Sequence, residues 1–172
     1  ACIEEAIELR TAGLSKTPVL LMEGIFELSE LALAIKNNLI ITVCSPLQLE
    51  WILNATINKK IDVFIKHDSG MGRLGFQDAQ FKEAISSLEK SNNINKITLM
   101  THFSSADNLE SKTTSEQVID FENAVGSHNY SLSLANSAAI LAWESTHKDY
   151  TRPGIMLYGS SPFKDTLQQK KL

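Results

Sequence analysis

The feature that most constrains this chain is a rhythm of short apolar runs set between segments of helical period. Residues 18–22 (PVLLM), 39–43 (LIITV), 62–66 (DVFIK), 96–101 (KITLMT), 131–135 (SLSLA) and 154–158 (GIMLY) read as strands. Between them lie helical patterns at 23–38, 46–59, 77–91, 113–126 and 137–143. An amphipathic helix opens the chain, with Ile3, Ala6, Ile7 and Leu9 directed inward and Gly13 as its stop. Six strands alternating with helices predict an α/β fold whose parallel sheet is covered on both faces. Two architectures remain open: a doubly wound sheet, or part of a (β/α)₈ barrel. A complete barrel takes about 250 residues, so six units in 172 residues correspond to about three-quarters of one. Polar residues recur where the strands end: Lys66 and Asp68, His102, Asn136 and Ser137. In a barrel those ends ring the active site.

Composition narrows the class of partner. The net charge is −4, and the lysines and arginines are scattered, which argues against nucleic acid or an anionic membrane surface. No apolar run approaches the roughly 20 residues of a membrane span. The two cysteines, Cys2 and Cys44, have no C-x-x-C spacing and read as free thiols in a reducing compartment, hence a cytoplasmic protein. His67, His128 and His147 share no metal-ligand spacing, so no metal is expected and all three are assigned to the surface. Trp143 and Tyr158 read as packing residues. The chain opens within a helix and without Met, as a fragment of a longer protein would.

The segment IKHDSGMGRLGF, residues 65–76, contains a literal G-x-G-x-x-G at Gly70, Gly72 and Gly75. A dinucleotide fingerprint also needs an acidic residue about 20 positions on, at the end of the next strand. That strand ends in MTHFSS, and no carboxylate follows until Asp107. The nucleotide reading fails its own context. The alternative is that the glycines let the backbone turn tightly, so that Lys66, Asp68 and Arg73 are aimed at a ligand.

KHDSGMGRLGF resembles the lysine-and-arginine loop of the alanine racemases. Three further segments agree in order and spacing: MTHFSSAD (100–107), LANSAAIL (134–141) and RPGIMLYGSSPF (152–163). The resemblance implies a pyridoxal-phosphate enzyme, normally a homodimer, with a (β/α)₈ TIM-type barrel as its N-terminal domain, here a partial barrel lacking its first two strands. Residues 1–163 would be the partial barrel and 164–172 the start of a linker to a C-terminal β domain. Arg73 would hydrogen-bond the cofactor's phenolic oxygen and lie near the substrate carboxylate, a task suited to a planar, permanently charged fork. Lys66 matches a lysine that is carbamylated in many members; the carbamate is an anion that would hold Arg73. Its other reading is an unmodified lysine snorkelling from the rim. His102 would sit beside the cofactor ring, in a network joining Arg152 to a tyrosine of the partner subunit. Arg152 would donate to the pyridine nitrogen and leave it largely unprotonated, which limits the ring as an electron sink. Ser137 and the amides of Gly154 and Ile155 would bind the phosphate. A helix cap by Asn136 or Ser137 is the structural reading of the same stretch.

The chain departs from the family in one respect. Alanine racemases carry a lysine on the first barrel strand, in a motif resembling K-A-N-A-Y-G-H-G, and this motif is not in the sequence. The second base, a tyrosine, belongs to the C-terminal domain of the partner. The resemblance thus implies interconversion of L- and D-alanine for peptidoglycan by two bases that both lie outside this chain, which alone would be inactive. Two other readings stay open: a truncated, non-catalytic pyridoxal-phosphate-binding relative, and an unrelated barrel that binds a sugar phosphate.

Overall fold

Strands and helices alternate along the whole chain in the computed structural model, which describes residues 2–127 and 129–163. The order is α1 (Ile3–Thr11), β1 (Val19–Leu21), α2 (Leu28–Lys36), β2 (Leu39–Val43), α3 (Pro46–Asn54), β3 (Ile61–Lys66) and α4 (Asp78–Lys90). It continues with β4 (Ile94–Met100), α5 (Thr113–Val125), β5 (Ser131–Ser133) and α6 (Ser137–Ala142). The strands are hydrogen-bonded in the order β1-β2-β3-β4-β5. A doubly wound sheet reverses its order at a switch point, and no reversal occurs among these strands. The fold class is therefore the α/β partial barrel, in which successive strands are neighbours.

The chain divides into two compact units. The first comprises Ala1–His67 and Leu74–Thr98. Its strands β1, β2 and β3 pair in parallel, with Leu21 opposite Ile41 and Ile41 opposite Val63. Ile41, Val43, Val63 and Ile65 on one face, and Thr42 and Phe64 on the other, are all buried, as expected of a sheet covered on both sides. Polar side chains close its loops. Ser45 caps α3, where Pro46 supplies a pre-set first turn. The buried Gln48 accepts from the Cys44 amide at 2.9 Å and donates to the carbonyls of Glu23 and Ile25, both at 2.9 Å. Arg10 donates to four carbonyl oxygens, of Leu14, Thr17, Asn37 and Asn38, and ties α1 to the end of α2. Gly24 has φ +80°, and a Cβ there would lie 2.1 Å from the Thr42 carbonyl oxygen. Only glycine fits.

Two sequence expectations change here, and the alternative reading of Lys66 falls. In α1, Ile3 and Ala6 are buried, but Leu9 is exposed on the outer face. His67 is fully buried instead of at the surface; its Nε2 lies 2.7 Å from Asp78 Oδ1, and its ring packs 4.9 Å from that of Phe81. A histidine that follows a strand covered on both faces has no solvent side to turn to. Lys66, at the end of β3, is 7% exposed, so its stem does not snorkel into water. His147 is exposed as expected, and its ring nitrogen meets the Ile140 carbonyl at 2.8 Å. His128 and residues 164–172 lie outside the described residues.

The second unit comprises Asp68–Arg73 and the chain from Leu99 onward. Phe121, Ala124 and Val125 of α5 are buried, with Leu134 and Ala135 after β5. The sixth strand expected at 154–158 is not formed. Those residues make a 3₁₀ turn, Ile155–Tyr158, closed by Leu157 N–H on the Gly154 carbonyl at 3.0 Å. The segment beside β5 lies earlier in the chain: Tyr150 donates to Leu132 and Arg152 to Ala135. Pro153 explains the stop, since it has no N–H to extend the ladder. The apolar run that imitates a strand is consequently exposed, with Leu157 at 71% and Tyr158 at 87%. Tyr158 is not a packing residue. Trp143 is half-buried and donates its indole N–H to the Ala106 carbonyl at 3.0 Å.

Candidate functional site

The glycine segment is built around a carboxylate. Asp68 Oδ1 accepts from the amides of Gly70, Met71 and Gly72 at 3.2, 2.8 and 2.9 Å. Gly70 and Gly72 have φ +119° and +70°, which turn those amides inward. A phosphate would have to displace Asp68 against its negative charge, so the segment is no phosphate cradle. Its end presents Arg73, which is exposed.

The same unit gathers five of the expected residues elsewhere. His102, Ser137, Arg152, Gly154 and Ile155 line one cleft of about 360 Å³. Asn136 caps α6 by accepting from Ala139 N–H at 3.0 Å, which leaves the Ser137 hydroxyl for other partners. That hydroxyl accepts from Gly154 N–H at 2.8 Å and Met156 N–H at 3.5 Å. The hydroxyl and these main-chain amides thus converge beside the start of α6.

Arg152 is fixed at the cleft by its neighbours. Nη1 donates to Ser133 Oγ at 2.5 Å, and Nη2 to the carbonyls of Thr101 and Leu134 at 2.6 and 3.0 Å. Nε is buried and makes no hydrogen bond. Burial lowers the guanidinium pKa to about 10, so it is still charged at neutral pH. His102 is half-buried, and its carbonyl accepts from Gln117 Nε2 at 3.3 Å. Lys66 belongs to the first unit and is buried there, close enough to Cys44 to favour its thiolate. Desolvation outweighs that attraction, and the Cys44 thiol is raised above its ordinary range.

Two residues of this arrangement were not anticipated from sequence. Gln117 is 2% exposed; it accepts from the Ser104 amide and donates to Ser69 Oγ and the His102 carbonyl. Ser133 is fully buried under Arg152. The available signal for Gln117 was a polar residue four positions before Phe121, on the helix face that also carries Ala124 and Val125.

Comparison with known proteins gives one answer. The family described as alanine racemase, N-terminal domain, matches residues 1–162. An alanine racemase of Pseudomonas fluorescens is 47% identical over 165 residues, covering 96% of this chain and 46% of the relative. A catabolic alanine racemase of Pseudomonas putida is 46% identical over 164 residues, with 95% and 46% covered. Among solved structures, the biosynthetic alanine racemase from Pseudomonas aeruginosa superposes with TM-score 0.91 at 39% identity, over 96% of this chain and 46% of that one. The chain spans about half the length of the curated relatives it matches. Among the described residues, no helix is long and apolar enough to cross a membrane. On this match the chain is a member of the alanine racemase N-terminal domain family.

Proposed function

We propose that the whole protein is a pyridoxal-phosphate-dependent isomerase that interconverts L-alanine and D-alanine, and that this chain supplies contacts to the cofactor's phosphate and ring. The observation that carries the reading is one cleft holding both a hydroxyl–amide cradle and a buried arginine whose Nε lacks an acceptor. A buried unmatched donor is costly, and a pyridine nitrogen is an acceptor of matching chemistry. The residues present fit the group.

Pyridoxal phosphate, when bound, supplies the electron-withdrawing ring that acidifies the substrate α-carbon. The chain's own residues do the rest. Ser137 with the amides of Gly154 and Ile155 hold the phosphate. Arg152 donates to the ring nitrogen and keeps its own proton, since even a pKa of about 10 lies well above neutral pH. The nitrogen stays largely unprotonated, so charge at the α-carbon is not held long and transamination is limited. Arg73 meets the phenolic oxygen and the substrate carboxylate, and His102 supports Arg152. Lys66, buried at the end of β3, is carbamylated.

In this reading residues 1–163 are the barrel domain and 164–172 open the linker. The two bases, a lysine and a tyrosine, lie outside the chain. The full-length protein works as a cytoplasmic homodimer and supplies D-alanine for peptidoglycan. The test is to incubate the protein purified from its source with pyridoxal phosphate and L-alanine. A new visible absorbance band together with D-alanine is expected. A band without D-alanine would favour the non-catalytic binding relative, and the absence of a band would overturn the cofactor reading.

A further inference from the structure

Arginine carries five N–H donors in a rigid planar fork, and it commonly meets carboxylates or phosphates through two of them at once. Arg152 is arranged differently. Nη2 is taken by two main-chain carbonyls, of Thr101 and Leu134, and Nη1 by the Ser133 hydroxyl. Both terminal nitrogens therefore face protein, and Nε is the buried donor left without an acceptor. A guanidinium held through one nitrogen can still pivot about it; held through two, its plane and the direction of Nε–H are set. Two of the three acceptors are backbone atoms. Ser133 is the one side chain among them, fully buried and not itself a lining residue of the cleft.

Building on the cofactor reading above, we infer that Ser133 is a positioning residue that fixes the plane of Arg152 so that Nε–H is presented to a heteroaromatic ring nitrogen. With one N–H of Nη1 held by Ser133 Oγ and both of Nη2 held by carbonyls, the plane of the guanidinium is set and Nε–H has a fixed direction toward an acceptor with one lone pair in the ring plane. Without the Ser133 hydroxyl, Nη1 would lose the one bond that holds it, and the arginine would tilt about Nη2. The ring would then meet a donor of variable direction.

The test uses the full-length holoprotein and pyridoxal 5′-phosphate labelled with ¹⁵N in the ring. The nitrogen resonance and the cofactor dissociation constant are measured across pH 6–9 for the wild type, Ser133→Ala, Ser133→Cys and Ser133→Thr. Cys matches the volume of Ser but is a weak acceptor, which separates a packing loss from the loss of the hydrogen bond. In Ala and Cys the resonance should move toward that of the free cofactor, with affinity reduced roughly tenfold. Thr, which keeps a hydroxyl, should restore both. A resonance in Ser133→Ala identical to wild type, with the cofactor bound, would overturn the role of Ser133 alone. A wild type that binds no pyridoxal phosphate would overturn both this inference and the cofactor reading.

Discussion

Two glycine-bearing segments of this chain look alike as text and behave as opposites. In residues 68–73 the amides turn inward onto Asp68 and are satisfied by the segment itself. In residues 152–159 the Gly154 amide meets a single serine hydroxyl at the mouth of a cleft, beside an arginine with a spare donor. Glycine spacing reports that a backbone bends. Where the amides then find acceptors decides whether a ligand has anything to bind, and the nearest carboxylate settles that more than any count of glycines.

The contrast can be broken at several points. Arg152→Ala should have the largest effect, because it strands the Ser133 hydroxyl and two carbonyls together; a loss of about 3 kcal/mol in urea unfolding is expected, along with cofactor binding. A stable variant would show that the arginine is not what organises this side of the cleft. Asp68→Ala should cost about 1–2 kcal/mol by leaving three amides without their acceptor, while binding of inorganic phosphate at the cleft stays unchanged. The paired glycine variants sharpen the point. Gly70→Ala, at φ +119°, should destabilise by about 1–2 kcal/mol and leave phosphate binding alone. Gly154→Ala carries no such strain, since its φ is −108°. The new methyl would lie 3.6 Å from Ser137 Oγ, so it should weaken phosphate binding with little change in stability. If both variants lose stability but not phosphate, the cleft is not an anion site. The smallest signal is in pH: with Arg152 at about 10, the cofactor's visible band should stay flat from pH 6 to about 9 and change only above that. A transition near neutrality would assign the ring contact to another group.

Much of this was legible in the sequence, for identifiable reasons. Strands β2, β3 and β4 announce themselves because a sheet covered on both faces needs unbroken apolar runs, and LIITV, DVFIK and KITLM supply them. GIMLY has the same composition and misled, because periodicity carries no information about the missing N–H of Pro153 next door. Ser137, Arg152 and Gly154 were findable through co-linear motifs. His67 was misplaced because histidine's average preference for partial exposure says little about a residue leaving a buried strand. Gln117 and Ser133 were invisible for a further reason: their partners lie 13 or more positions away, at Ser104 and Arg152, and only folding brings those atoms within reach.

Arg10 and Arg152 share a property that bears on how such a chain can drift. All four acceptors of Arg10 are main-chain carbonyls, as are two of the three acceptors of Arg152. Side-chain replacement at Leu14, Thr17, Asn37, Asn38, Thr101 or Leu134 leaves those oxygens in the polypeptide. An ancestor could therefore have exchanged any of those side chains while each arginine kept its seat. Ser133 is the exception, the one place in either clamp where a single codon can retune what the guanidinium offers.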